Sequence, residues 1–254
     1  MTILAAQIPA VPIAPTTIWN PDDVVISWIA PDDGGSPITS YTIYIREDDQ
    51  STYSLQLSHC DGSDSVIRDA TECTIPVTVL KAAPFDHPWG EHVFAKVLAT
   101  NVYGSSELSL EGNGAMITTN PDAPINIAED YSLRDPTTLG ITWSPAAFTG
   151  GDVIIDYRIN IAEQGGTFSI LASGLLTPDY TATGLTSGTI YEFKVESRNS
   201  YDYSAYSDVL TLLAAFKPGQ PAAPTTTTIN NQVLVEWTEP ITNGSPITGY
   251  RIYI

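Results

Sequence analysis

Positive charge is scarce in this chain: 10 Lys and Arg stand against 29 Asp and Glu, a net charge of -19 over 254 residues. So acidic a chain is repelled by phosphate backbones and anionic lipid headgroups, which excludes nucleic acid and membrane surfaces as expected partners. Cationic groups and divalent ions gain instead; the competing reading of the charge is solubility and self-avoidance of a long exposed rod. Long apolar runs are also missing. No stretch reaches the ~18 residues that a membrane span needs, so no membrane insertion is expected in this segment. No basic stretch followed by an apolar core opens the chain, so no signal peptide is visible. A nucleophile elbow, a phosphate loop, a CxxC pair and a zinc-protease helix are all absent, and the chain is expected not to be an enzyme. Paired carboxylates for glycoside chemistry remain open, but no local arrangement singles out a pair. No window carries a helical stripe either, so no helix N-terminus is expected to hold an anion.

Cysteine is limited to two residues, Cys60 and Cys73, in SHCDGSDSVIRDATEC. The spacing fits neither a zinc knuckle nor a thioredoxin-type pair, and an even count in an all-β chain suits a disulfide. Such a bond closes a loop of about 14 residues and contributes roughly 3 kcal/mol on a chain-entropy basis. It implies an oxidising, extracellular or cell-surface setting; the alternative is two buried free thiols.

Packing material is plentiful: 43% of residues are apolar, with 13 Tyr and 5 Trp. Thr2 to Ile45 return 209 positions later as Thr211 to Ile254, with 22 of 44 positions identical and no gap. Met1 falls opposite Leu210, inside what reads as the last strand of a domain (DVLTLLAA), so the segment is expected to be a window on a longer tandem array. Fixed-period self-similarity marks repeat architectures, which space, stack or present surfaces.

Short alternating runs rich in β-branched and aromatic residues recur throughout, among them Val24 to Trp28, Tyr41 to Ile45, DYRINI, YEFKVE and VLVEW. Gly, Pro, Asp and Asn clusters separate them, a pattern that predicts sandwiches rather than α/β units. Prolines punctuate three seams, Pro9 to Pro15, Thr118 to Pro124 and Lys217 to Pro224. Short Pro-stiffened seams hold neighbours within a limited range of angles. The bodies between them are siblings: Trp28 precedes Tyr41 by 13 residues, Trp143 precedes Tyr157 by 14, and a Gly pair lies between in each (Gly34, Gly35 and Gly150, Gly151). AKVLATNVYGSS from Ala95 lines up with FKVESRNSYDYS from Phe193.

These residues resemble the fibronectin type III family, with its Pro-rich start, strand-B Trp, strand-C Tyr and Leu-x-x-Gly-x-x-Tyr-x-Phe-x-Val passage into strand F. The second body supplies that passage as Leu185, Gly188, Tyr191, Phe193 and Val195, followed by Asn199. In the first body Val93 stands where the corner Tyr is expected, and both cysteines fall in an enlarged C′ to E region, which the disulfide would fasten. The resemblance, nearest to long arrays in secreted or surface proteins of single-celled eukaryotes, implies all-β tandem fibronectin type III sandwiches, two complete and one truncated. The boundaries it implies are 1–8 for the end of a preceding repeat, 9–120 and 121–217 for whole domains, and 218–254 for strands A to C of the next. The family's Arg-Gly-Asp adhesive loop is absent.

Candidate sites follow. His87 and His92, with Asp86 and Glu91, could hold a metal, but they flank a Pro/Gly turn, and the competing reading is a polar corner with Trp89 beneath. Asp61 and Asp64, with the pairs Asp22-Asp23, Asp32-Asp33 and Asp48-Asp49, could collect calcium; none matches a dedicated calcium loop, and turn-capping Asp competes. No cofactor is otherwise expected. Asn243-Gly244-Ser245 is an N-glycosylation sequon, and Thr16, Thr17 and Thr225, Thr226, Thr227 and Thr228 beside the seams are O-glycan candidates, or else ordinary Thr-rich strands. The expected function is a structural repeat unit of an extracellular fibre or surface coat that self-associates. The alternatives are an adhesive or receptor-like module reading a carbohydrate or protein, and a spacer of a secreted carbohydrate-active enzyme.

Overall fold

The computed structural model describes residues 6–254, and the chain divides into two compact units, residues 1–119 with 150–152 and residues 120–149 with 153–254. The part of the 1–8 boundary that falls on residues 1–5 lies outside the described residues.

In the first unit, β1 (Thr16–Asn20) and β2 (Asp23–Ser27) form a hairpin. Then come β3 (Ser40–Arg46), β4 (Tyr53–Leu55), α1 (Ser65–Ala70), β5 (Glu72–Pro76), α2 (Val77–Leu80), β6 (His92–Val93), β7 (Ala95–Asn101), β8 (Gly104–Ser105) and β9 (Ala115–Met116). Two sheets result, ordered β1-β2-β5 and β4-β3-β7-β8, with β6 and β9 paired separately. Strict alternation in β2, β3 and β7 turns Val24, Ile26, Tyr41, Ile43, Ile45, Ala95, Val97 and Ala99 inward, each at most 5% exposed. Period-two patterning buries one face of each sheet, and the two apolar faces close on each other. Trp28 fills the gap between the sheets, its ring edge-on to Tyr41 at 5.2 Å.

The second unit repeats the plan with β10 (Ile125–Asp135), β11 (Thr138–Ser144), β12 (Asp156–Glu163), β13 (Ser169–Leu175), β14 (Asp179–Ala182), β15 (Ile190–Arg198) and β16 (Leu210–Leu213). Its sheets are β10-β11-β14 and β13-β12-β15-β16. Ile159 pairs with Val195 in register, and both are wholly buried with Phe193 and Leu139 around Trp143. Tyr191 turns its hydroxyl back to accept from Thr186 N at 3.0 Å, which ties the corner before β15. In the first unit Val93, completely buried, takes that place and the corner is held by packing alone on that side chain.

The third copy contributes β17 (Thr225–Ile229) and β18 (Gln232–Glu236), paired with Thr226 opposite Val235. The expected third strand does not form: residues 246–254 carry no regular structure. Its counterpart β3 is held on one side by β4 and on the other by β7, and among the described residues no strand pairs with 246–254. The apolar side chains that β3-type packing would bury therefore stay open, with Ile252 52% and Trp237 39% exposed. Trp237 thus departs from the core position of Trp28 and Trp143 while keeping the same pairing, 5.3 Å from Tyr250.

The expectation of a helix-free chain also needs correction. α1 and α2 are real but span six and four residues. α1 buries none of its side chains and α2 buries only Val77 and Leu80, so neither produces an amphipathic stripe long enough to register.

Candidate functional site

Two regions gather polar chemistry. The first is the insertion between β4 and β6. Cys60 and Cys73 are joined, Cα to Cα 5.2 Å apart, and both are buried, so the bond staples α1's loop to the edge of β5. Asp61 accepts from the Ser63 hydroxyl and amide at 2.7 and 3.0 Å, which lowers its carboxyl below the usual range. Asp64 is the N-cap of α1, accepting from Val66 N at 2.8 Å. Asp32, Asp33 and Asp49 each accept from amides one turn on, and the Thr52 hydroxyl and amide hold Asp49 well below the carboxylate range. Each of these carboxylates faces its own turn rather than a shared centre.

His87 is 1% exposed, with Nε2 2.9 Å from the carbonyl oxygen of Arg46, and burial lowers its pKa. His92 is exposed and stacks on Phe94 at 6.1 Å between centroids. The sequence places the two five residues apart, but β6 begins at His92 and turns it outward while His87 is directed inward. Among the described residues no three His, Cys, Asp or Glu side chains gather around a common point. Beside them Arg46 lies 4.1 Å over the Phe94 ring and 3.4 Å from Glu111, which also accepts from the Tyr53 hydroxyl. Burial, reinforced by Glu111, pushes the Tyr53 phenol up to about 12.

The second region is the outer face of β12 and β15. Arg158 forks onto Glu196 through two bonds of 2.7 Å, and Asn160 Nδ2 donates to the same carboxylate at 3.0 Å. Arg198 pairs in the same way with Asp156. Glu196 and Asp156 are 5% and 4% exposed, and a carboxylate that dry must be met by a fixed cation and further donors. The Arg158 guanidinium lies 3.8 Å over the Tyr203 ring, and Lys194 sits 4.0 Å over Phe168 and 5.2 Å over Tyr206. On this face each buried carboxylate is engaged by an Arg, and both guanidiniums lie over the Tyr203 ring.

Sequence reasoning missed a serine device serving both sandwiches. Ser106 and Ser109 accept from Ala99 N and Val97 N through their hydroxyls, and Ser204 and Ser207 do the same for Ser197 N and Val195 N. Hydroxyls thus stand in for a neighbouring strand's carbonyls along β7 and β15. The signal was present as S-x-x-S at the same place in each body, 98 residues apart.

Of the glycan candidates, Thr17 must be corrected: alternation in β1 turns it inward, 1% exposed, with its hydroxyl 3.2 Å from Asn113 Oδ1, so it offers no acceptor to solvent. Thr16 and Thr225 to Thr228 are exposed on their strands. Asn243 lies in a turn at φ 53°, and its Nδ2 donates to Lys217 O at 2.7 Å.

Paired antiparallel sheets around a Trp-Tyr core, with a tied corner, define a β-sandwich. Comparison with known proteins makes the class specific: residues 130–212 match the family model for the fibronectin type III domain. The match falls on the second sandwich, and the chain as a whole is similar to proteins that carry such domains. It is 25% identical to titin of Drosophila melanogaster, over 91% of this chain and 1% of titin. Fibronectin type III domain-containing protein 1 of Margaritifera margaritifera is 24% identical over 93% of this chain and 30% of its own length. Endoglucanase B of Cellulomonas fimi is 27% identical over 89% and 21%. The chain therefore spans less than a third of each of these relatives. A solved structure of a run of titin domains shares the fold, with a TM-score of 0.50 at 14% identity over 82% of this chain and 61% of that one.

Proposed function

We propose that the chain is a structural repeat unit of an extracellular fibre or cell-surface coat, non-catalytic, which self-associates through its tandem sandwiches. The observation that carries this reading is the 209-residue recurrence together with repetition of the same linker bonds in each copy. Gln7 N donates to Gly34 O at 2.9 Å, Thr119 N to Gly150 O at 2.9 Å, and Phe216 N to Asn243 O at 2.8 Å. Bonds that recur at equivalent positions of the repeat suit a chain whose work is to repeat a geometry. The buried disulfide supports an oxidising, extracellular home.

Sedimentation velocity over a concentration series tests the reading. Concentration-dependent growth into elongated species, visible by negative-stain microscopy, is the expected result. A monomer that persists at the highest attainable concentration, with or without calcium, counts against it.

The likeness to Endoglucanase B favours a second reading, in which such sandwiches act as a spacer for other parts of a longer polypeptide. Both readings assign the segment a mechanical rather than a chemical task. Association separates them, since a spacer has no need of it.

A further inference from the structure

The seams carry more than hydrogen bonds. In the second unit, Gly188 closes the corner before β15 at φ 87°, and its amide donates to Ala214 O at 2.8 Å, just past β16. Gly244, at φ 90° in the turn that follows β18, sits directly on that corner. A Cβ on Gly244 would lie 2.6 Å from Ala214 O, 2.6 Å from Ser187 Oγ and 2.7 Å from Gly188 N. Two of those three atoms are backbone and cannot swing aside. On the other side of the same turn, Asn243 holds the linker from both ends: its carbonyl accepts from Phe216 N, and its side chain donates to Lys217 O. Gly219 N adds a third bond, to Ile241 O at 2.8 Å.

The first unit shows the same contact. Gly90 N donates to Ile117 O at 2.8 Å, and a Cβ on Gly90 would lie 2.6 Å from Gly151 O, with φ 92° and 88° at the two glycines. Positive φ alone does not imply such a contact: Gly165, Gly174 and Gly184 also have positive φ but meet nothing within 4 Å. Close approaches inside a sandwich, such as Gly62 on Tyr41 O and Gly140 on Asp130 O, pack strands of one body, whereas Gly188 and Gly244 bring a corner onto the turn of the following copy.

We infer that the Gly188–Gly244 pair is a fixed-angle joint: it brings two backbones into contact so that the second sandwich and the copy that follows it hold one orientation. Three linker hydrogen bonds fasten one side of the joint, and the glycine contact fastens the other. A linker held at two separated points cannot act as a hinge, because a hinge needs residues free to absorb changes of φ and ψ. The inference rests on this geometry and not on self-association, so a chain that remains monomeric leaves it standing.

Intramolecular distances between spin labels in the whole 254-residue chain test it. The native thiols are both in the disulfide, so Ser169→Cys on β13 and Thr227→Cys on β17, both exposed, supply the only labelling sites. A single narrow distance distribution is expected with native glycines, and Gly244→Val should abolish it in favour of a broad or displaced one. Gly184→Ala, which meets a positive φ without a collision, should retain the narrow peak. Unfolding followed by Trp fluorescence shows whether the second sandwich remains intact in each variant; if Gly244→Val unfolds it, Gly244→Ala places one methyl group into the same contact. A broad distribution in the native chain, or a narrow and unshifted one in a folded Gly244 variant, overturns the joint.

Discussion

Trp28, Trp143 and Trp237 are one residue of the pattern met three times, yet their surroundings differ. Trp143 is 4% exposed within a closed core, whereas Trp237 is 39% exposed. Trp143→Ala should therefore destabilise its domain by about 3 to 5 kcal/mol, since it removes buried surface and leaves a cavity. Trp237→Ala should alter thermal stability far less, and parallel melting curves of the two variants provide the comparison. His87 makes a second prediction at this scale. Its Nε2 is satisfied by Arg46 O, and burial lowers its pKa, outweighing the opposing pull of Glu91 and Asp48. The unfolded chain takes up a proton near the ordinary pKa of about 6.5, while the native ring resists it. Stability from this group is thus full above that value and declines as pH falls below it toward the native pKa. Denaturant midpoints of the first sandwich should drop on acidification from neutral pH, and His87→Gln should flatten part of the slope. An identical slope in the variant would show that other groups carry the effect.

At the scale of elements, the insertion and the clamps matter most. Cys60 and Cys73 are 13 residues apart in sequence. Reduction should release a loop whose closure contributes roughly 3 kcal/mol, lowering the first sandwich's transition and leaving the second, which holds no cysteine, where it was. Two coincident transitions that move together would contradict this independence. Asn199 performs a comparable service in the second sandwich: its Nδ2 donates to Thr149 O at 2.9 Å and its Oδ1 accepts from Tyr201 N. Asn199→Ala removes a partner from a part-buried carbonyl and a part-buried amide, and should cost about 1 kcal/mol by denaturant unfolding. The strands themselves were plain in the sequence, because a sheet with one buried face writes its alternation into residues such as Tyr41, Ile43 and Ile45. α1 was not, because a six-residue helix with no buried side chain has no face to write. The pairing of His87 with a backbone carbonyl, and the separation of His87 from His92, were equally illegible, since both depend on where β6 begins.

For the whole molecule, charge is the controlling quantity. At -19, copies repel one another over a distance set by ionic strength. That range shrinks from about 30 Å at 0.01 M salt to about 8 Å at 0.15 M. Association should therefore strengthen as salt is raised over this interval, and sedimentation velocity at the two conditions measures it. Weakening with salt would instead indicate attachment through the few cations, such as Lys194, to acidic surfaces.

The sequence by itself determined the class of fold, the repeat and its 209-residue step, the place of each core Trp and Tyr, and the two cysteines as a local pair. All of these are recorded in periodicity, spacing and composition, which are properties of the chain read in order. Only the tertiary structure decided that Thr17 faces inward, that His87 is buried while His92 is exposed, and that acidic turn residues spend their oxygens on their own backbone. It also decided that serine hydroxyls continue the strands and that glycines meet at the seams. Those outcomes depend on which distant segments arrive beside a residue, as Gly188 beside Gly244, and proximity across 56 positions of chain leaves no local mark.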